Sequence, residues 1–127
     1  MVSVDLPYQE SDAHAPYVRL TVRGPVHSAP ILMLVDSGAD KSMISWKMGL
    51  YLGFAEEAGE RLASTRGVGG SLQVRQRRMD VTLGNGRFQI PVLWAGVEMP
   101  ALLGREGIFD RFRVEFDQGA GIVRFRL

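Results

Sequence analysis

The sequence predicts a mostly-β, single-domain fold with one or two short helices. Three observations carry this. The 127 residues and 14.1 kDa are one domain's worth and leave no room for two independent cores. Apolar residues recur with period two over several short stretches bounded by Gly, Pro and Asn. Helix start and stop signals frame only short segments.

Residues 1–15 are polar and mixed, with Pro7, Asp12 and His14, and read as a loose N-terminal arm or at most an edge strand; the folded domain is expected over residues 16–127. Residues 17–23 alternate as a half-buried strand does, and Gly24-Pro25 breaks them. Residues 31–35 (Ile-Leu-Met-Leu-Val) form a continuous apolar run, short enough for a strand buried on both faces. It stops at Asp36-Ser37-Gly38-Ala39-Asp40, which by composition cannot be core. Residues 45–53 predict a short helix, with Ser45 as N-cap and Gly53 near its end; Gly49 in the middle weakens it. Residues 55–66 are polar and indistinct, and residues 67–70 (Gly-Val-Gly-Gly) make a flexible tip. Residues 72–83 and 87–94 predict two strands joined at Asn85-Gly86, a strong hairpin signal because a type I′ turn needs positive φ at both central residues. Residues 100–104 are a second apolar segment that ends on a Gly, and residues 105–111 suit one or two helical turns. Phe112, Val114 and Phe116, then Val123, Phe125 and Leu127, alternate with charged residues as a C-terminal hairpin with one apolar face.

Composition narrows the chemistry. Fifteen Lys+Arg against fourteen Asp+Glu give a net charge of +1, which argues against a dedicated nucleic-acid binder. The absence of Cys removes disulfides, thiolate catalysis and Cys-ligated zinc, and two His are too few for a multi-histidine metal site in one chain. No apolar run approaches the roughly 20 residues that span a bilayer, and the N-terminus lacks the basic and apolar regions of a secretory signal. The expectation is a cytoplasmic protein without metal, cofactor, nucleic-acid or membrane partner, whose chemistry rests on carboxylates, hydroxyls and backbone. A chain this short is also expected not to enclose a deep two-walled cleft alone.

The segment 34–40 carries the chemistry. An apolar strand delivers Asp36 at its end, Ser37 offers a hydroxyl, Gly38 permits close approach by backbone or ligand, and Ala39 keeps the floor low. Alone, Asp-Ser-Gly reads equally well as a turn. Far downstream, Leu102-Leu103-Gly104-Arg105 again ends an apolar run on Gly. Two apolar residues leading into Asp36-Ser37-Gly38-Ala39, a Gly-rich tip at 67–70, and then Leu102-Leu103-Gly104-Arg105 form an ordered trio. The trio resembles the retropepsin-like aspartic proteases, the retroviral-type single-domain family, over roughly residues 17–116.

The resemblance implies a closed all-β acid-protease barrel that acts as a C2 homodimer. It implies an aspartic endopeptidase acting on a peptide or protein substrate. Asp36 would be the catalytic carboxylate, Ser37 would hydrogen-bond across the dyad, and the Gly38 carbonyl would accept from substrate main chain. Gly67, Val68 and Gly69 would form the flap, with Val68 at its tip. Leu34, Ala39, Asp40, Met43, Pro100 and Leu102 would contact substrate, while Gly104 and Arg105 would support the site, Arg105 pairing with Asp40. Only one Asp-Ser-Gly is present, so the second carboxylate would come from a second copy of the chain. The sequence departs from the viral pattern at Lys41, where many viral members carry an acidic residue, and at Glu106, where Asn is frequent. The C-terminal hairpin is longer than in the viral enzymes, and its apolar face is a candidate dimer interface. A catalytically weak dimerisation or peptide-binding module on the same fold is the competing expectation.

Other chemistries fit less well. The Gly-rich tip lacks the third Gly of a dinucleotide loop, Ser37 is in no nucleophile elbow, and Asp36, Ser37 and Asp40 are not spaced as a calcium loop. His14 and His27 lack ligand spacing. Arg75, Arg77, Arg78 and the Arg-Phe-Arg triplets at 111–113 and 124–126 are expected to be solvated strand faces.

Overall fold

Half-apolar strands need a second surface over their apolar face, and here the sheet supplies it by closing on itself. The computed structural model describes residues 3–9, 15–67 and 70–127. In chain order its elements are β1 (Ser3–Pro7), β2 (Tyr17–Arg23), β3 (Ser28–Val35), β4 (Ser42–Ile44), α1 (Trp46–Leu52), β5 (Ala63–Gly67), β6 (Gly70–Leu83), β7 (Gly86–Ala95), β8 (Ala101–Leu103), β9 (Arg113–Asp117) and β10 (Ile122–Arg126). The large sheet runs β2-β3-β8-β4-β7-β6-β5, and β2 also pairs with β6 through Val22 and Val81. Strands β2, β3, β8, β4, β7 and β6 therefore close a six-stranded barrel, and β5 projects from it as a hairpin with the first part of β6.

The alternation in the sequence becomes the barrel wall. On β2, Val18, Leu20 and Val22 face the core while Arg19, Thr21 and Arg23 face solvent. On β6 and β7, Met79, Val81 and Leu83 meet Ile90, Val92 and Trp94 inside. The pairing of β3 with β8 is parallel, with Val35 opposite Leu103. Asp36 and Gly104, each one residue beyond its strand, thus emerge at the same end of the barrel.

Helix α1 starts where the Ser45 hydroxyl accepts from the Met48 N–H at 3.2 Å, and it ends at Gly53 in the left-handed region, φ 103°. Gly49 has a packing reason. A Cβ there would lie 2.1 Å from Trp94 Nε1, so only Gly lets the helix rest on the indole.

Residues 105–111 form two successive turns as expected, in which the Phe109 N–H donates to Arg105 O and the Phe112 N–H to Ile108 O, without extending into a regular helix. Gly107 at φ 84° with the Ile90 side chain against it limits the regular spiral. The hairpin after β6 turns on Gly84 and Asn85, with Gly84 at φ 59° and Leu83 paired to Gly86; the turn is one residue earlier than Asn85-Gly86 because Gly84 supplies the positive φ. On β3, Ile31, Met33 and Val35 are buried while Leu32 and Leu34 are half-buried, so one face is sealed and not two.

The C-terminal hairpin is also used differently. Its strands β9 and β10 form a small sheet with β1 in the order β1-β10-β9, so part of the N-terminal arm is an edge strand. Val123 and Phe125 are fully buried against the chain's own core, while Phe116 and Leu127 of the same hairpin stay exposed, so only part of the apolar face is covered by the chain itself. The outer face is a charged ladder centred on Arg124, which reaches Glu115 at 2.5 Å, Asp117 at 2.8 Å and Asp5 at 3.8 Å. No helix among the described residues is long and apolar enough to cross a membrane.

Candidate active site

The loop that carries Asp36 is pinned from both sides. Its N–H donates to Leu103 O at 2.9 Å, and its carboxylate Oδ1 accepts from the Gly38 N–H at 2.9 Å. The Ala39 N–H closes a tight turn back onto Asp36 O at 3.2 Å. These bonds fix where the carboxylate points without a covalent constraint.

The downstream motif acts as the clamp. A Cβ on Gly104 would lie 2.4 Å from the Lys41 carbonyl carbon and 2.9 Å from Ala39 O, so the two loops touch backbone to backbone only because residue 104 has no side chain. The Gly104 N–H donates to the hydroxyl of Ser42, a fully buried polar side chain, at 3.0 Å. Arg105 then reaches over the loop, donating to Ser37 O at 2.7 Å and pairing with the Asp40 carboxylate. Its own N–H donates to Ala39 O, and that of Glu106 to Asp40 O, both at 2.9 Å. The Asp40–Arg105 pair expected from the motifs is present. Because both side chains are substantially exposed, its role is to hold geometry more than to add stability.

Above this loop lies an open cleft of about 830 Å³. Asp36, Gly38, Ala39, Asp40, Met43 and Leu102 line it, as do Arg66 and Gly70 from the β5–β6 hairpin on the opposite side. A single chain thus does form a sizeable cleft. Ser37 is exposed at its margin. Gly67 pairs with Gly70 across the hairpin tip, and Val68 and Gly69 lie outside the described residues, as does His14. Two expected substrate contacts sit elsewhere. Leu34 is opposite Leu102 in the β3–β8 register but does not line the cleft, and Pro100 is exposed beside it while Met99 lines it.

The floor is a second apolar cluster, separate from the barrel core: Met43, Val74, Leu93 and Ala95, with Leu72, Met99 and Leu102 packed against it. The sequence reading did not single out Val74, Leu93, Met99 or Ser42. Strand parity was the available signal for the first two, since they alternate with core residues Met79, Ile90 and Trp94. For Ser42 there was none.

The reverse side of β6 anchors the hairpin. Arg75 and Arg77 are not solvated, against expectation; their side chains are only 15% and 14% exposed. Trp46 and Trp94 stack at 4.4 Å, Arg75 lies over both rings, and Arg77 lies over Trp94 at 5.4 Å. Glu60 accepts from Arg77 through both oxygens, at 2.8 and 3.0 Å, and has Arg75 Nε at 3.4 Å. Hydrogen bonding from Arg77, then from the Glu57 N–H, lowers the Glu60 carboxyl from 4.5 to about 2. The indistinct segment 55–66 thus has a function in the fold: it carries the carboxylate that ties the segment before the β5–β6 hairpin to β6.

No group of three or more His, Cys, Asp or Glu among the described residues is placed to hold a metal ion. The arrangement offers an oriented carboxylate at the end of two parallel strands, a substrate-sized cleft with an apolar floor, and a hairpin above it.

Comparisons with known proteins agree with this geometry. A crystal structure of a retropepsin-like aspartic protease from Rickettsia conorii superposes with a TM-score of 0.72 at 16% identity, covering 98% of each chain. The EIAV protease complexed with the inhibitor HBY-793 superposes with a TM-score of 0.58 at 19% identity, covering 76% of this chain and 88% of that one. The barrel is therefore the retropepsin-like fold. Comparison with curated protein sequences gives no match. The sequence profile described as aspartyl protease matches residues 18–106, well over half of the length. The chain belongs to the aspartyl protease family.

Proposed function

We propose that the protein is an aspartic endopeptidase that works as a symmetric homodimer, with Asp36 from each copy forming the catalytic pair. The observation that supports this most is the state of the cleft carboxylates. Of the two that line it, Asp40 is taken by Arg105, and Asp36 has no cationic partner among the described residues. One oriented carboxylate per chain, on an exposed loop, is half of a dyad.

Two carboxylates brought a few Å apart cannot both ionise, so the pair holds one shared proton. The ionised member takes a proton from a bound water, whose oxygen attacks the peptide carbonyl carbon. The protonated member gives its proton to the carbonyl oxygen. The resulting diol collapses as the C–N bond breaks, the nitrogen takes up a proton, and a carboxylic acid and an amine leave. Ser37, exposed beside the loop, would bond across the twofold axis and keep the carboxylates aligned. The Gly38 carbonyl would accept from the substrate backbone. Ala39, Met43 and Leu102 would meet its side chains, Leu34 and Pro100 doing so only in the assembled dimer. Gly67, Val68 and Gly69 would close over it and exclude water. A cytoplasmic location belongs to the same reading.

Cleavage of a mixed peptide library against pH, with sedimentation alongside, tests this. The native chain should cleave as a dimer, and Asp36→Asn should lose activity by about a thousandfold or more while remaining folded and dimeric. A dimer that cleaves nothing from acidic to neutral pH overturns the protease reading in favour of a binding module. Activity in a monomer overturns the shared dyad.

A further inference from the structure

The cleft does not end at its apolar floor. The strand that walls it, β6, alternates, so Leu72, Val74, Gln76 and Arg78 share one face while Arg75 and Arg77 point to the Trp46–Trp94 side. Leu72, Val74 and Gln76 line the main cleft; beyond them lies a smaller groove of about 240 Å³ lined by Lys41, Gln76, Arg77, Arg78, Pro91 and Val92. Lys41 and Gln76 line both, so the groove continues the cleft outward. Three of its six lining residues are cationic and none is a carboxylate.

The three cations are not equivalent. Arg77 is neutralised by Glu60 behind the strand. Lys41 has Glu106 at 3.1 Å, but that carboxylate is half-exposed, and an exposed pair is weak enough to exchange partners. Arg78 donates to the neutral amide of Gln89 at 2.7 Å, and among the described residues it meets no carboxylate. The groove therefore presents uncompensated positive charge on the same wall as the apolar floor.

We propose that this groove is an outer subsite that selects an acidic side chain of the substrate, bound by Arg78 and Lys41. The inference rests on the protease reading above and adds a specificity to it. Side chains on one face of an extended peptide recur about every 6.5–7 Å, the same repeat that carries the wall from Val74 to Gln76 to Arg78. A substrate residue seated over Val74 and Leu93 accordingly brings the residue two to four positions away to the basic groove. Asp or Glu there gains a charge-assisted bond, Lys or Arg meets repulsion, and the effect weakens with salt.

The test is the positional charge profile of a mixed peptide library, read by mass spectrometry for native protein, Arg78→Gln and Arg78→Glu. Binding of the same library to Asp36→Asn protein is measured alongside. Native cleavage products should show Asp and Glu enriched about three- to tenfold at one position two to four residues from the apolar-selected one. The enrichment should fall in Arg78→Gln and invert toward Lys and Arg in Arg78→Glu, a gain that an unfolded variant cannot give. Cleavage without charge preference, or a preference indifferent to residue 78, overturns the subsite and leaves the protease reading intact. If nothing is cleaved, an Arg78-dependent acidic preference in binding keeps the subsite and removes the protease. If binding shows no such preference, the subsite falls as well.

Discussion

Leu93 and Trp94 are neighbours on β7 and belong to different apolar clusters. Trp94 is fully buried in the barrel core, stacked on Trp46 and capped by Gly49 of the helix. Leu93 points the other way, into the small cluster with Met43 and Val74 that floors the cleft. The same split recurs at Met43 and Ile44 on β4 and at Leu102 and Leu103 on β8. Each strand gives one face to closed packing and one to an open surface. The core face holds the barrel's shape, and the cleft face is left free to meet a ligand. Opposite demands, filling space and leaving it, are met by residues one position apart because side chains alternate along a strand.

Removing Trp94 should break the closed side. Trp94→Ala leaves a hole under α1, removes the ring that Arg75 and Arg77 cover, and should cost about 3–5 kcal/mol in a urea titration. A loss below about 1 kcal/mol would show that the two clusters do not differ as described. Next in size, Gly104→Ala attacks the join between β8 and the Asp36 loop. The added methyl meets Lys41 and Ala39 backbone atoms that cannot rotate away, so about 1–3 kcal/mol is expected, with a fall in kcat larger than any change in KM. Leu93→Ala tests the open side. It should cost less than Trp94→Ala, about 1–2 kcal/mol, and change which residues a peptide library places over the floor.

The smallest effect concerns Glu60. Its carboxyl is lowered from 4.5 to about 2, chiefly by the hydrogen bond from Arg77, so the stabilisation it gives is complete above pH 4.5 and fades as pH falls toward 2. Thermal midpoints of native and Glu60→Gln protein should therefore differ at pH 5–7 and converge near pH 2. A constant gap would mean that the Glu60 charge is not what holds the segment before β5.

Much of this was legible from residue order. Period two marked the strands, Ser45 and Gly53 marked both ends of α1, and the Asp36 and Gly104 motifs marked the loops that meet. The reading failed where a residue's meaning depended on what lay across from it. Arg75 and Arg77 look like solvent-facing charges, because no local pattern reveals a stacked pair of indoles from β7 and α1 beneath them. The C-terminal hairpin reads as one apolar face, but no local pattern tells that β1 and the barrel cover Val123 and Phe125 while Phe116 and Leu127 stay exposed.

The sequence by itself determined that the protein is β-rich, that it has no Cys and only two His to offer any chemistry, and that Asp36 stands where a strand ends in small residues. These are local properties, set by side-chain period, by turn residues and by which functional groups the chain contains. Only the tertiary structure decided which face of each strand is core and which is cleft, that Glu60 anchors the segment before β5 to β6, and that Lys41, Gln76 and Arg78 fall on one wall. Those facts depend on parallel and antiparallel register between strands distant in sequence, and a register shift of one residue would exchange the two faces while leaving every local pattern unchanged.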